Sequence, residues 1–357
     1  MDQLTIKIAQ IIKQDGLTWT NNGLLCGNTG ICIFFYHLFR KTGNPEYEQV
    51  AGDLLDKAFA NLSSSAPADF ENGLAGIGWG IEYMVQNDFV EGNTDEILEV
   101  VDNKIFRTLN EECLISFELT TGLTGYLFYL INRLKNKNKP FSMAQRINRE
   151  LLILTINKID ELVTAQFPFI VKDVNFDLFW RFPAILFGLK EAFKLNIYNE
   201  KISCLVRQWL PYFEAYLPSL HIDRLFLAVG LKQIWSQMPE NRLEKQIQIL
   251  LFATDFEVLK TEVDLDVINI RFGWPGVAWL LSIASKDLAP DSPNYQMIGQ
   301  THYTITERHK FQFQSLQLNN PEESSMQLGS PLNLVGIGLM ESLWPGILSG
   351  NYLLYPR

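Results

Sequence analysis

The sequence is poor in the residues that hold soft metals. Of its 357 residues only four are cysteines and four are histidines. Cys26, Cys32, Cys113 and Cys204 form no CxxC pair. Thiols scattered in this way read as reduced cysteines in a cytoplasm, not as a disulfide framework. Between Ile222 and Thr301 there is neither a cysteine nor a histidine. Charge is also scarce, at 20% of residues, and the basic side is the minority: 30 Lys and Arg against 40 Asp and Glu give a net charge of −10. A surface of that sign repels a phosphate backbone, so nucleic acid is excluded as a general partner. Long apolar runs without interruption are missing too. The longest uncharged run, Gly16 to Phe39, contains Asn21, Asn22, Asn28 and several glycines. A lipid-facing helix does not carry these cheaply, so no membrane span is expected. The opening "MDQLTIKIAQIIKQDG" reads as an amphipathic helix and lacks the basic-then-apolar layout of a secretory signal. Strand signals are sparse, and "FPFIVKDVNF", from Phe167, is the main candidate for a short strand or loop.

What the chain does have is apolar mass and a recurring glycine pattern. Apolar residues make up 47%, enough for a sizeable core. Gly27-Asn-Thr-Gly30 precedes "ICIFFYHLF", Gly73-Leu-Ala-Gly76 precedes "IGWGIEYMV", Gly122-Leu-Thr-Gly125 precedes "YLFYLINRL" and Gly273-Trp-Pro-Gly276 precedes "VAWLLSIA". The closing copy, "LNLVGIGLMESLW", keeps Gly336 and Gly338. Two worn copies, "WRFPAILFGLKEAF" and "HIDRLFLAVGLKQIW", fill the interval before the fourth. The spacing is 46 residues from Gly30 to Gly76 and 49 from Gly76 to Gly125, and seven copies span the chain. Periods of this size mean helical hairpins stacked in series.

The second helix of each unit differs. "NTDEILEVVDNKIFRTL" starts on a capping Asn93 with acidic residues in its first turn. Its apolar positions Ile97, Leu98, Val101, Ile105 and Leu109 share one face, so it should lie outside with water on its back. The glycine-led helices are apolar nearly all round and should be buried on both sides. One-faced helices alternating with all-round ones predict an all-α fold, an α/α toroid of an inner ring inside an outer ring, as a single domain over 1–357. A glycine pair lets crowded backbones approach at the start of each inner helix. The inner N-termini, with their free N–H groups, then share one end, which is the natural mouth for a ligand.

"NGLAGIGWGIEYM" (72–84) and "SPLNLVGIGLMESL" (330–343), with the sevenfold inner helices, resemble the lanthionine synthetase C-like (LanC-like) family. The resemblance implies an α/α toroid. For the family's cyclases it implies thioether formation between peptide thiols and dehydrated serines or threonines. It also implies a zinc ion held by a Cys in one late repeat and a Cys-His pair opening the next, with an open position for the substrate thiol. At the matching places this chain has "DRLFLAVG" without a cysteine, Arg271 and Phe272 in "RFGWPG", and Leu334 and Val335 in the last repeat. Arg181 or Phe182 matches the position of a histidine that the cyclases carry in a middle repeat. The expectation is a chain without the metal and without any other cofactor.

Cys26 is the one cysteine at a glycine-pair mouth. A helix N-terminus lowers a thiol pKa, whereas a free cysteine is commonly just a small buried hydrophobe; both readings stand. Cys32, Cys113 and Cys204 read as packing residues, His37 as a satisfied core histidine, and His302 and His309 as surface. Ahead of the inner helices lie Asp69, Glu71 and Asn72, then Glu118, then Asp177, Trp180 and Arg181, then His221, Asp223 and Arg224, then Asp264, Asp266, Arg271 and Trp274. The candidate cavity set is Glu71, Asn72, Glu118, Asp177, Arg181, His221, Asp266, Arg271 and Trp274. Carboxylates, arginines and tryptophans converging on a concave end make a site for a peptide or a small polar ligand. The blander alternative is that the acids cap helix N-termini and the arginines neutralise them. Glu82 and Glu341, inside apolar helices, need either a partner or the water of the ring centre.

Three functions compete. The first is a zinc-free relative that binds peptide or assists a lanthipeptide-like modification pathway. The second is a zinc-free enzyme using cavity carboxylates, for instance on a glycan. The third is a scaffold that binds another protein through its outer face.

Overall fold

The computed structural model describes residues 21–304 apart from 26, 61, 112–115, 136–141, 171–175, 180, 264–270 and 288–295, with a few positions nearer the N-terminus. For 166–170 and 181 only the backbone is described. Cys26, Cys113, Trp180, Asp264, Asp266, His309 and the closing repeat with Gly336, Gly338 and Glu341 therefore lie outside the described residues.

Within these limits the described residues form helices and no strand. The inner helices are α1 (Asn28–Thr42), α3 (Leu74–Gln86), α6 (Leu123–Leu134), α8 (Arg181–Lys194), α10 (His221–Trp235) and α13 (Trp274–Asp287). The outer helices are α2 (Pro45–Ala60), α5 (Glu99–Asn110), α7 (Met143–Ile170), α9 (Asn199–Ala215) and α11 (Asn241–Phe252), with the short α4 (Thr94–Ile97) and α12 (Phe256–Glu262) beside them. Each inner helix packs against the inner helix of the next repeat, from α1 through to α13. Burial separates the layers as the periodicity predicts. Every residue from Leu74 to Met84 of α3 and from Leu123 to Arg133 of α6 is buried. α5 buries only Val101, Asp102, Ile105 and Leu109. Each fully buried Leu or Ile of this two-sided layer contributes roughly 1.5–3 kcal/mol.

Local chemistry sets the turns. α1 ends at Gly43, whose φ of 69° is the left-handed conformation that glycine adopts at least cost, and whose N–H donates to the Phe39 carbonyl. Asn44 then accepts from the Glu46 N–H at 3.1 Å while Pro45 opens α2, a stop and a start within three residues. The glycine pairs act through close approach. A Cβ on Gly76 would collide with the carbonyl of Phe70, and one on Gly122 with the carbonyl of Ser116.

Four expectations need correction, His302 below among them. "FPFIVKDVNF" is not a strand where it is described, because Phe167–Ile170 continue α7; the local β-propensity is overridden by a helix that is already about six turns long at its start. The helix expected over 93–109 is broken at Leu98 into α4 and α5. The break turns Thr94 and Asp95 inward, where Arg133 donates to them at 3.1 and 3.2 Å. Cys204 is exposed and is not a packing residue. Cys32 does pack, with its thiol on the Ala51 carbonyl at 3.1 Å, and burial pushes its pKa up.

Glu82 finds its partner in protein, not in the ring centre. Its carboxylate receives Arg133 Nη1 at 2.6 Å, and both side chains are buried. Arg133 Nη2 reaches Asp102 at 3.0 Å, and Asp102 also accepts from Tyr129 Oη at 2.6 Å and Asn148 Nδ2 at 3.0 Å. Burial works against the Arg133 charge, but Tyr129, Asp102 and Glu82 outweigh it and hold the guanidinium protonated. One cation thus ties α3 and α6 to the outer α4 and α5, and Asp102 carries the link on to Asn148 of α7.

His37 is satisfied as expected. It shares a hydrogen bond with Tyr83 Oη at 3.0 Å and meets the Phe89 ring edge-on at 4.7 Å. Burial, then Arg40, pulls its pKa down to about 3. The folded chain keeps this imidazole neutral while the unfolded chain protonates it near pH 6.5. The unfolded state therefore binds the extra proton, and stability falls as pH drops through that window. The expected slope is at most about 1.4 kcal/mol per pH unit. Denaturant titrations of wild type and His37→Gln between pH 7 and 4 check this: the variant should lose part of the acid sensitivity. His302 is half-buried and not a surface residue, with a pKa lowered by burial.

Candidate functional site

The loops that lead into the inner helices are sewn together at one end of the rings. Leu25 N–H donates to the Glu71 carbonyl at 3.1 Å, Phe70 and Glu71 N–H to the Thr120 carbonyl at 2.8 and 3.0 Å, and Leu178 N–H to the Arg271 carbonyl at 2.8 Å. The asparagines of the first loop serve this end. Asn21 Oδ1 takes the Gly23 N–H at 2.8 Å, Asn22 Oδ1 takes Asn28 Nδ2 at 2.7 Å, and Asn21 Nδ2 reaches Asn72 Oδ1 at 2.5 Å. The asparagines in "NNGLLCGNTG" are thus turn and bridging groups, and Asn72, one of the candidate residues, links the first two repeats.

The predicted carboxylates and arginine meet here. Arg271 holds Asp177 in a two-pronged pair, Nε at 2.9 Å from Oδ1 and Nη2 at 2.8 Å from Oδ2. The guanidinium lies 5.3 Å from the Phe179 ring centre and 4.7 Å from that of Phe272. Partial burial works against its charge. The Asp177 pair, then Glu71, then Glu118, overcome that and raise its pKa. Asp177 precedes α8, Glu71 α3 and Glu118 α6, whereas Arg271 precedes α13. Four repeats therefore act on one guanidinium, which is paired with Asp177 and lies within the field of Glu71 and Glu118. Both side chains of the pair remain part-exposed, at 29% for Arg271 and 25% for Asp177.

Other candidates are placed elsewhere or serve the frame. Asp69 accepts the N–H groups of Asn72 and Gly73 at 2.7 and 3.0 Å, so it caps the turn into α3. His221 starts α10, but its Nδ1 accepts from the Asp255 N–H at 2.8 Å and approaches Arg224 Nη1 at 3.0 Å. It is engaged by α12 and by its own helix. Glu262 closes that N-terminus, taking the N–H groups of His221 and Ile222 at 2.9 and 3.0 Å. Trp274 is buried at the start of α13, with Trp79 and Trp279 buried likewise, so these indoles belong to the core. Arg181 opens α8 by its backbone, and Asp266 lies outside the described residues. The blander reading thus holds for Asp69 and, in part, for Asp177. The cluster of Glu71, Glu118, Asp177 and Arg271 remains as the candidate site. The sequence reading missed Phe179 and the Glu262 cap; a Phe two residues after an acid carries no signal of its own. Among the described residues, no three His, Cys, Asp or Glu side chains are placed to share one metal ion.

Residues 18–172 match the family model described as lanthionine synthetase C-like protein. Nisin cyclase, an α/α toroid, has the same architecture, with a TM-score of 0.66 at 14% identity over 98% of this chain and 96% of that one. The chain is an α/α toroid. No curated protein matches its sequence significantly. The match to the family model ends near the middle of the chain, and the structural likeness carries the same ring of hairpins through the worn repeats at α8 and α10. In this toroid the Arg271 cluster sits where the loops before α3, α6, α8 and α13 meet. No described helix is long and apolar enough to cross a membrane.

Proposed function

We propose that this LanC-like chain, one toroidal domain over 1–357, has no zinc site and binds a peptide at the ring mouth. On this reading it is an accessory protein of a lanthipeptide-like modification pathway in the cytoplasm. The observation that carries it is Arg271. At the place where the family resemblance implies a Cys-His pair, this chain has a guanidinium closed on Asp177 and held protonated by the further charges of Glu71 and Glu118. A zinc ion needs soft, deprotonated donors and an open position. A permanent cation in that place supplies no donor and repels a second cation, so the residues described do not fit zinc.

The charge balance names the ligand class. Three carboxylates, Asp177, Glu71 and Glu118, act on one arginine. The described cluster therefore carries more negative than positive charge, and Glu71 and Glu118 are part-exposed, which suits a peptide carrying Lys or Arg. The pathway role comes from the family likeness, and the peptide chemistry comes from the cluster. Isothermal titration with a short Lys-rich, Ser- and Cys-containing peptide tests it. Glu71→Gln with Glu118→Gln should weaken binding about tenfold at low salt. The difference should shrink as ionic strength rises past about 0.15 M. Unchanged affinity in the double variant would move the site off the mouth.

A further inference from the structure

The outer surface carries a feature that the mouth does not use. α5 and α7 lie side by side, and between them runs a groove of about 500 Å³. Its floor is Phe106 from α5 with Ile147, Leu151 and Leu154 from α7. Met143, Ile147 and Leu151 stand four residues apart, so they form one stripe along α7. The stripe runs from water to core: Met143 is 71% exposed, Ile147 45% and Leu151 3%. Phe106 faces it at 51% exposure. An outer helix should present polar residues on this side, as α5 does at Asn110. Exposed Met, Ile and Phe around one groove are therefore unexplained by packing alone.

The charge of the rim selects the occupant. The chain as a whole is acidic, with 40 Asp and Glu against 30 Lys and Arg. At this groove the balance is reversed: Arg146 and Arg149 line it against Glu150. The geometry points to a protein-docking groove that takes an amphipathic helical segment of a partner protein, with apolar residues on the face it lays down and Asp or Glu along its flanks. Grooves between paired helices bind such segments through i, i+3, i+4, i+7 anchors. Arginine rims give the register and orientation. The inference is independent of what the mouth binds.

The test uses the full chain and two synthetic probes, fluorescein-labelled helical peptides with leucines at i, i+3, i+4 and i+7. One carries glutamates on its flanks and the other lysines. Fluorescence anisotropy should give about tenfold tighter binding of the glutamate probe at low salt. Arg146→Glu with Arg149→Glu should reverse that preference, and Ile147→Asp should abolish binding of both probes, with the far-ultraviolet circular dichroism of each variant unchanged. Absence of binding, equal affinity for the two probes, or binding that survives Ile147→Asp would overturn the proposal. Binding of phosphatidylserine vesicles that is lost with the same arginine substitutions would give the surface to a membrane and likewise overturn it.

Discussion

Replacing Arg133 by methionine is expected to destabilise the protein by about 3–5 kcal/mol, a fall in Tm of about 10 °C. Methionine fills much of the same volume, so the loss is electrostatic in origin. Glu82 and Asp102 would be left buried without the guanidinium that lies 2.6 and 3.0 Å from them. Glu82 sits in the middle of α3, where every neighbour along the helix from Leu74 to Met84 is buried, so water cannot replace the lost partner without opening the ring. Arg133→Lys should recover only part of the loss. A single ammonium cannot serve Glu82, Asp102 and Thr94 from one place as the planar fork does. Differential scanning calorimetry of the two variants checks both statements. A methionine variant within a degree of wild type would show that the network is not what couples the layers.

The second large effect is steric and separates two glycines. Gly76→Ala is expected to destabilise by about 2–4 kcal/mol. Its new Cβ would strike the Phe70 carbonyl and meet Leu24, and the Phe70 segment is held by its 2.8 Å bond to Thr120, so the neighbour cannot withdraw. Gly52→Ala, in the middle of α2, meets nothing within 4 Å. That substitution should stabilise by about 0.5–1 kcal/mol through helix propensity and a less flexible unfolded chain. Urea titrations of the pair should therefore move in opposite directions. If both alanines were tolerated equally, the glycine pairs would not mark close approach between consecutive repeats.

The ring was legible because its cause is periodic. Gly76 and Gly125 stand where successive mouth loops pass, and a backbone that must be approached admits one residue type. The two worn copies could be found without a glycine pair, since α8 and α10 stay largely apolar and buried on both sides. The break at Leu98 was not legible. It depends on Arg133, some 35 residues away, drawing Thr94 and Asp95 inward, and helical spacing carries no trace of a distant cation. The same holds for Glu82. Its oddness was visible, but its partner sits at the end of another repeat's apolar run.

At the mouth, position was legible and pairing was not. Residues ahead of each inner helix share one end of a ring by topology, so Glu71, Glu118, Asp177 and Arg271 could be named together. Which of them would close on each other depends on the loops that Leu178 and Arg271 join through their backbones. His221 shows the limit of the same reasoning. It lies at the equivalent register, yet α12 offers it the Asp255 N–H and it turns there. Tryptophan at the mouth was ambiguous in sequence, because Trp274 has the same helical spacing whether it lines a cavity or fills a core. Burial resolves it in favour of the core.

The central claim is that a guanidinium–carboxylate cluster stands in the place of a thiolate–imidazole metal centre. Elemental analysis of the purified full chain, after exposure to excess zinc and extensive buffer exchange, tests it most directly. The account predicts zinc far below one equivalent per chain, in wild type and in Arg271→Ala alike. Zinc retained at one equivalent by wild type would contradict it.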